Sequence, residues 1–409
     1  MEIPDKRPFV LDGAIATNLM QQGMPEGLDA ADWMLQNTES VAALIDAFIQ
    51  AGAMAVLAPT FGLMNSTAEQ CGKELDIPQL NRTLARLAKE AARGRVPVGG
   101  SVSPSGIEIK PFGEATFNRL ITDYRQQMQA FSESSLDFVL LESFTNIVDL
   151  RAAIFAAHAF ELPVYACVTV DDECRTKGWD VDVLAALTVA QSLGVRGFGI
   201  NCSSPDATLE AVKRIISYAR VPVIAKPDAG NPNPLLFYTY DFSPQSLAEF
   251  TGELLAAGAQ MIGGCCGTTP EHIKAIAEAA KRFDYSGKQP EKMLDEVIAA
   301  NQSDVFFITD TLSPSEPLDC ELDMSELLVE AAGEGYDALY INIKTPDDAN
   351  LLAINAHMAT LPILLHADEE TLLEAALLQY QGRALVDSRC YIPEQNLKRI
   401  AKKYGAILY

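Results

Sequence analysis

The sequence predicts an α/β protein: a (β/α)8 TIM barrel over residues 1–285, a linker over 286–302, and a smaller, incomplete α/β module of half-barrel type over 303–409. Three observations carry this reading. Short apolar runs alternate with amphipathic segments from the first residues to about 285. These runs are rich in Val, Ile and Leu without strict alternation, as parallel strands covered on both faces should be. The unusual residues fall at the C-terminal ends of the runs, the face on which barrels build their sites.

In chain order the runs are FVLDGA (9–14), MAVLAPT (54–60), VPVGGSV (96–102), FVLLES (138–143), PVYACVTV (163–170), FGINC (198–202), VPVIAKP (221–227) and MIGGCC (261–266). Between them lie amphipathic segments such as SVAALIDAFIQAGA (40–53), IVDLRAAIFAAHAF (147–160) and ATLEAVKRIISYA (207–219). Eight strands with intervening helices in just under 290 residues fit a closed barrel. A doubly wound open sheet is the competing arrangement. The stretch 284–302 is polar and lacks a strand, which places the boundary there. Residues 303–409 then begin the pattern again, with DVFFIT, DALYINI, PILLHA, RALVDS and GAILY alternating with four helices, about half a barrel's worth of chain.

Composition narrows the function. At 48% hydrophobic and 21% charged, the 409-residue chain has ample material for a folded core and is unlike a disordered one. A formal net charge of −24 repels nucleic-acid phosphates, so no nucleic-acid partner is expected. The opening MEIPDKRPFVLDGA holds no signal-peptide run, and no later stretch is long enough to span a bilayer. A cytoplasmic location without membrane contact is the expectation. In a reducing compartment the eight cysteines are core residues, metal ligands or nucleophiles rather than a disulfide framework. Only four histidines are present, so a metal site here must rely on sulfur.

Cys202 ends one predicted strand, and Cys265 and Cys266 end another two strands later. Three thiolates meeting at one mouth of a barrel are three ligands of a tetrahedral zinc with its fourth position open. An isolated cysteine is usually a small buried apolar residue, but a vicinal pair flanked by glycines, GGCCG, is poorly explained by packing. A strained redox disulfide between the neighbours is the other alternative. Cys71, Cys167, Cys174, Cys320 and Cys390 lack such a context and read as structural.

Residues 1 to about 285 resemble the homocysteine S-methyltransferase family, the barrel shared by cobalamin-dependent methionine synthase and betaine–homocysteine methyltransferase. The likeness lies in LDGAIAT (11–17), APTFGLMN (58–65), GGSVSPSG (99–106), LLESFTNIVDL (140–150), GINCSSP (199–205), KPDAGNP (226–232) and GGCCGTTPEHI (263–273). It implies that Cys202, Cys265 and Cys266 are zinc ligands and that homocysteine is the acceptor. Zinc deprotonates a bound substrate thiol and holds it. Three protein thiolates plus the substrate thiolate put a formal −2 on the complex, which keeps the substrate sulfur electron-rich for attack on a methyl group.

The resemblance also implies contacts for the amino-acid end of the substrate. Glu142 stands where the family holds the ammonium, and Asp12 matches the acidic residue ending the first strand. The loop from Gly13 to Thr17 offers N–H groups to the carboxylate, Thr60 ends the second strand, and Asn201 precedes the first ligand. Asp228 departs from the family's usual Asn (KPDAG here). In GTTPEHI, Thr268 or Thr269 caps a helix, Pro270 suits its first turn and Glu271 completes the signature, leaving His272 an ordinary helix residue.

The methyl donor rests on weaker signals. A quaternary ammonium needs an aromatic cage. The matching loops offer Phe61 and Phe144, with Trp33 the nearby tryptophan, which disfavours betaine. S-methylmethionine and another small thiol as acceptor stay open. Residues 362–389 resemble the folate-binding barrel of methionine synthases in a degenerate form, with Asn342 as the one match to a pterin-contacting Asn. No Asp-x-His-x-x-Gly cobalamin signature occurs, so methylcobalamin would come free or on a partner corrinoid protein. The C-terminal module then reads as a truncated folate module serving docking or homo-oligomer formation, and a non-catalytic docking subunit is the rival from another class.

Overall fold

The structure, a computed structural model, describes residues 8–232, 240–284, 290–309 and 311–409. Its first part is an eight-stranded parallel sheet made of β1 (Phe9–Val10), β2 (Val56–Ala58), β3 (Val98–Val102), β4 (Phe138–Phe144), β5 (Val164–Val168), β6 (Gly197–Asn201), β7 (Val223–Lys226) and β8 (Met261–Ile262). Six of the strands lie inside their apolar runs, and β4 and β6 each extend one residue beyond theirs. The order β1-β8-β7-β6-β5-β4-β3-β2 makes the first and last strands neighbours. Between β1 and β2 the Met54 N–H donates to the Val10 carbonyl at 2.7 Å. The sheet is therefore curled in the manner of a TIM barrel, and a doubly wound order is excluded.

The apolar runs explain the packing. Residues of one parity, among them Phe9, Leu57, Phe138, Leu140, Tyr165, Cys167, Ile224 and Met261, fill the interior of the curl as one cluster. The other parity meets the surrounding helices in the largest core cluster. Cys167 is thus a packing residue, as expected for a cysteine without polar context.

Beyond residue 290 the structure departs from the sequence reading in two places. The stretch expected to lack a strand contains β9 (Val297–Ala300), a four-residue apolar run, and the boundary at 285–289 lies outside the described residues. DVFFIT supplies β10 (Val305–Ile308), which pairs antiparallel with β9 instead of starting the second parallel sheet. That sheet has five parallel strands in sequential order: β11 (Leu318–Asp319), β12 (Leu339–Asn342), β13 (Ile363–His366), β14 (Leu385–Val386) and β15 (Ile407–Leu408). The β9–β10 ribbon explains itself by burial. Phe306 and Ile308 pack on Ala338, Tyr340, Leu364 and Leu385, covering a sheet face that five strands cannot close on themselves.

A buried charge, beside the contact of Phe155 with Tyr404, helps fasten the second sheet's helices to the first. Arg151, on the helix Ile147–His158, is almost fully buried and reaches the C-terminal end of the helix Glu370–Gln379. Its guanidinium donates to the carbonyls of Leu377 (2.9 Å) and Tyr380 and to Gln381 Oε1 (3.0 Å). The guanidinium carbon also lies over the rings of Phe117 (5.6 Å) and Phe155 (5.3 Å). Carbonyls left over at a helix end, and the dipole behind them, favour a cation. Burial still pulls the Arg151 pKa down to about 9. Arg151→Ala should cost about 3 kcal/mol, because several charge-assisted bonds go at once and the helix end stays buried. Urea unfolding measures it; a loss below about 1 kcal/mol would show that the seam is held elsewhere.

Candidate metal centre

Cys202 follows the end of β6, and Cys265 and Cys266 follow β8, with β7 between them. The strand that delivers Cys202 ends in a tight bend: Cys202 has φ 56° and Ser143, at the end of β4, has φ 61°. Side chains with a Cβ rarely occupy this left-handed region, and such strain gathers at functional sites. Asn201 ties the two bends together. Its Oδ1 accepts from the Ser143 N–H at 2.8 Å, while its Nδ2 donates to Ser143 Oγ at 3.1 Å and to Cys265 Sγ at 3.5 Å.

The Cys265–Cys266 loop is fixed through its backbone. Cys265 N–H donates to the Pro227 carbonyl (2.9 Å), Ala229 N–H to the Cys266 carbonyl (2.9 Å) and Thr268 Oγ1 to the Cys265 carbonyl (2.7 Å). Gly267 takes φ +78°, and a Cβ there would stand 2.2 Å from the Tyr240 ring, so only glycine lets Tyr240 close over the loop.

Cys202 Sγ and Cys266 Sγ lie 3.5 Å apart, and one ligand atom each from Cys202, Asp228, Cys265 and Cys266 falls within 4.8 Å of the others. Sulfurs at two corners of a tetrahedral zinc site, with Zn–S of about 2.3 Å, would be ~3.8 Å apart. The donor set therefore fits zinc, with Asp228 near enough to be a fourth donor. The thiols are not poised to ionise by themselves. The Cys265 thiol is pushed well up by its hydrogen bond to Cys202 and by burial. Cys202 and Cys266 are also raised: one sulfur neighbour (Cys265 and Cys202 respectively) favours the thiolate, but the other sulfur and burial outweigh it. Burial lifts Asp228 to about 7 against the charge of Lys177.

Beside the sulfurs lies a buried charge cluster. Lys226, the last residue of β7, donates to Glu142 Oε1 at 2.8 Å and stands 3.6 Å from Asp12 Oδ1. Ser101 Oγ donates to Glu142 Oε2 at 2.7 Å, and the Leu57 N–H to Asp12 Oδ2 at 2.7 Å. Burial works against the Lys226 charge, but Glu142 and then Asp12 outweigh it and hold the ammonium well above the usual lysine range. Burial raises Asp12 to about 6 although Lys226 opposes it.

Of the residues singled out in the sequence, the fold gathers Cys202, Cys265, Cys266, Asp12, Glu142 and Asn201 at one mouth of the curled sheet. The loop after β1 is engaged with the β8 loop: the Ala14 N–H donates to Thr268 Oγ1 (3.1 Å), and Thr17 Oγ1 accepts from the Gly267 N–H (3.3 Å). At Gly13 a Cβ would come within 2.8 Å of Thr268 Oγ1, which keeps these loops in close contact. Thr60 is buried and exchanges two hydrogen bonds with the Ser101 backbone. Asn342 lies apart in the second sheet, where its Nδ2 donates to Asp319 Oδ1 at 3.1 Å. His272, not Glu271, completes the capping box of the helix Pro270–Arg282: its Nδ1 accepts from the Thr269 N–H at 3.1 Å, while Glu271 bonds the Thr269 hydroxyl. Trp33 sits on the helix Asp29–Gln36. Phe144 is buried against Tyr124 and Phe61 is exposed. Sequence reasoning missed Lys226, Ser101 and Tyr240. Lys226 had one available signal, a lysine inside an otherwise apolar buried strand.

A sequence model of the family described as Homocysteine S-methyltransferase matches residues 9–280. The methionine synthase of Mycobacterium leprae (strain TN) is 27% identical over 447 residues, covering 96% of this chain and 36% of that protein. That of Mycobacterium tuberculosis (strain ATCC 25618 / H37Rv) is 26% identical over 437 residues, with the same coverage. The chain thus spans about a third of the length of these relatives. Among solved structures, the metallated form of the homocysteine methyltransferase MmuM from Escherichia coli matches with a TM-score of 0.57 and 22% identity, over 67% of this chain and 96% of that one. This likeness concerns the fold.

Since the three thiols are held protonated at neutral pH, binding of zinc should expel about three protons, and the apparent affinity should climb steeply with pH. Calorimetry in buffers of differing ionisation enthalpy counts them. Release of fewer than about one proton would remove the thiols from the ligand set.

Proposed function

Since the chain belongs to the homocysteine S-methyltransferase family, we propose that it transfers a methyl group to the thiol of homocysteine, giving methionine, with zinc held by Cys202, Cys265 and Cys266. The single observation that supports this best is the approach of those three sulfurs and Asp228 to within 4.8 Å at the mouth of the curled sheet. When bound, zinc supplies the Lewis acidity that keeps a substrate sulfur as thiolate at neutral pH. The chain's own residues do the rest. The three cysteines hold the ion and leave a position for the incoming sulfur. Asn201 donates to Cys265 and so limits the negative charge that this thiolate carries.

Glu142 is the residue for the amino group of the acceptor. Its carboxylate is gripped by Lys226 and Ser101, so its direction is set before the substrate arrives. Thr60 contributes through Ser101, whose backbone it fixes from both sides.

For the donor we favour methylcobalamin, free or carried by a separate corrinoid protein. Two observations support it. The alignment with the methionine synthases extends over 96% of this chain, beyond the barrel part. A trimethylammonium donor would need an aromatic cage, and Phe144 is turned into the core. The C-terminal sheet serves in this reading as a docking element, with Asn342 at the carboxyl end of β12. No helix among the described residues is long and apolar enough to cross a membrane.

Cys266→Ser should lose zinc and turnover together, read by metal analysis and methionine formation; full turnover in that variant would end the assignment. Glu142→Ala should keep its zinc and raise the KM for homocysteine by roughly 30-fold, the worth of one charged hydrogen bond of about 2 kcal/mol. An unchanged KM would remove Glu142 from the pocket.

A further inference from the structure

We infer that Lys226 is a positioning residue that aims Glu142 at the amino group of the acceptor, and that it thereby makes the pocket select α-amino thiols over simple ones. The inference rests on the acceptor proposed above and adds to it a residue that sets selectivity.

Lys226 is 2% exposed and Asp12 1%, whereas Glu142 keeps 9% of its surface open. A ligand can therefore reach Glu142 but not the lysine behind it. Each Glu142 oxygen already has one fixed donor, Lys226 Nζ at 2.8 Å and Ser101 Oγ at 2.7 Å. A carboxylate accepts about four hydrogen bonds, so lone pairs remain for an arriving ammonium. Asp12 spends Oδ2 on the Leu57 N–H, and its Oδ1 has no hydrogen-bond partner. The nearest cation to that oxygen is Lys226 at 3.6 Å. Two buried carboxylates thus face one ammonium, and the single negative charge left over is what the amino group of an amino acid neutralises.

The lysine also separates two anionic regions. It ends β7, the strand between those that lead into Cys202 and into Cys265–Cys266. A Cβ on Gly263, two residues before Cys265, would come within 3.3 Å of Lys226 Cγ, so the side chain runs along the base of the sulfur loop. Without it, the two carboxylates of Asp12 and Glu142 would face each other beside the sulfur loop with no cation between them, where like charges are costly. Glu142 would then lose the contact that fixes its direction and stop presenting its free lone pairs to an ammonium. A thiol that lacks an amino group makes no use of Glu142 and should be indifferent to the lysine.

Calorimetric titration of the zinc-loaded full chain tests this with two probes: L-homocysteine, and 4-mercaptobutanoate, which is homocysteine without its amino group. Lys226→Met should weaken homocysteine at least ~10-fold and 4-mercaptobutanoate less than ~3-fold, with zinc content unchanged. In a Glu142→Gln background, adding Lys226→Met should alter homocysteine binding by less than ~3-fold, because the lysine acts through that carboxylate. Equal weakening of both thiols, or effects of the two substitutions that multiply, would overturn the inference. If Lys226→Met alone loses its zinc, the double variant, which removes one charge of each sign, decides. There the two thiols should bind within ~3-fold of each other, and a retained preference for homocysteine would refute the role. Failure of the unsubstituted protein to bind homocysteine would instead overturn the acceptor assignment, and this inference with it.

Discussion

Closing parallel strands into a curl brings every strand's carboxyl end to one face, and the sulfur cluster depends on that constraint. Cys202 and Cys266 are sixty-four positions apart in sequence, yet their sulfurs lie 3.5 Å apart. The bends that allow this are local and costly. Ser143 and Cys202 hold left-handed backbones, and Asn201 links them with a pair of hydrogen bonds. Strain of this kind persists only where the surroundings over-determine it. Here the surroundings are the filled interior of the sheet below and the Cys265–Gly267 loop above, which is tied by its backbone to Pro227 and Ala229.

Electrostatics shapes the same face. Thiols that stay protonated without a cation, a carboxyl lifted by burial to about 7 at Asp228, and a second lifted by burial to about 6 at Asp12 all describe a pocket short of the solvation that negative charge needs. In the proposed reading a divalent ion on one side and Lys226 on the other would relieve that shortage in different ways. The ion would act on sulfur, while the lysine is built in and acts on carboxylates. Keeping the two apart would let one small pocket handle a thiol and an amino group of the same molecule.

Much of this was legible in the sequence, for physical reasons that also explain the rest. The eight apolar runs located the strands because parallel strands buried on both faces leave little choice of residue. GGCCG and the preceding NC located the sulfurs because few other uses need that pattern. Lys226 was hidden inside an apolar run, and only the pairing of β7 between β6 and β8 reveals what it faces. DVFFIT was legible as a strand, but β9 was missed because four apolar residues at 297–300 carry too little periodicity, and its pairing with β10 because what the ribbon covers is a sheet face assembled from distant strands. His272 took the capping role expected of Glu271, since the side chain at the third helical position is the one that reaches back to the cap.

The central claim is that the sulfur cluster binds a metal ion and accepts the acceptor thiol as a further ligand. Cobalt(II) in place of zinc reports this directly, because thiolate-to-cobalt charge transfer scales with the number of bound sulfurs. Titration with L-homocysteine should raise that absorption by one further thiolate's share, with no change when methionine is added instead. An unchanged spectrum on addition of homocysteine would contradict the account.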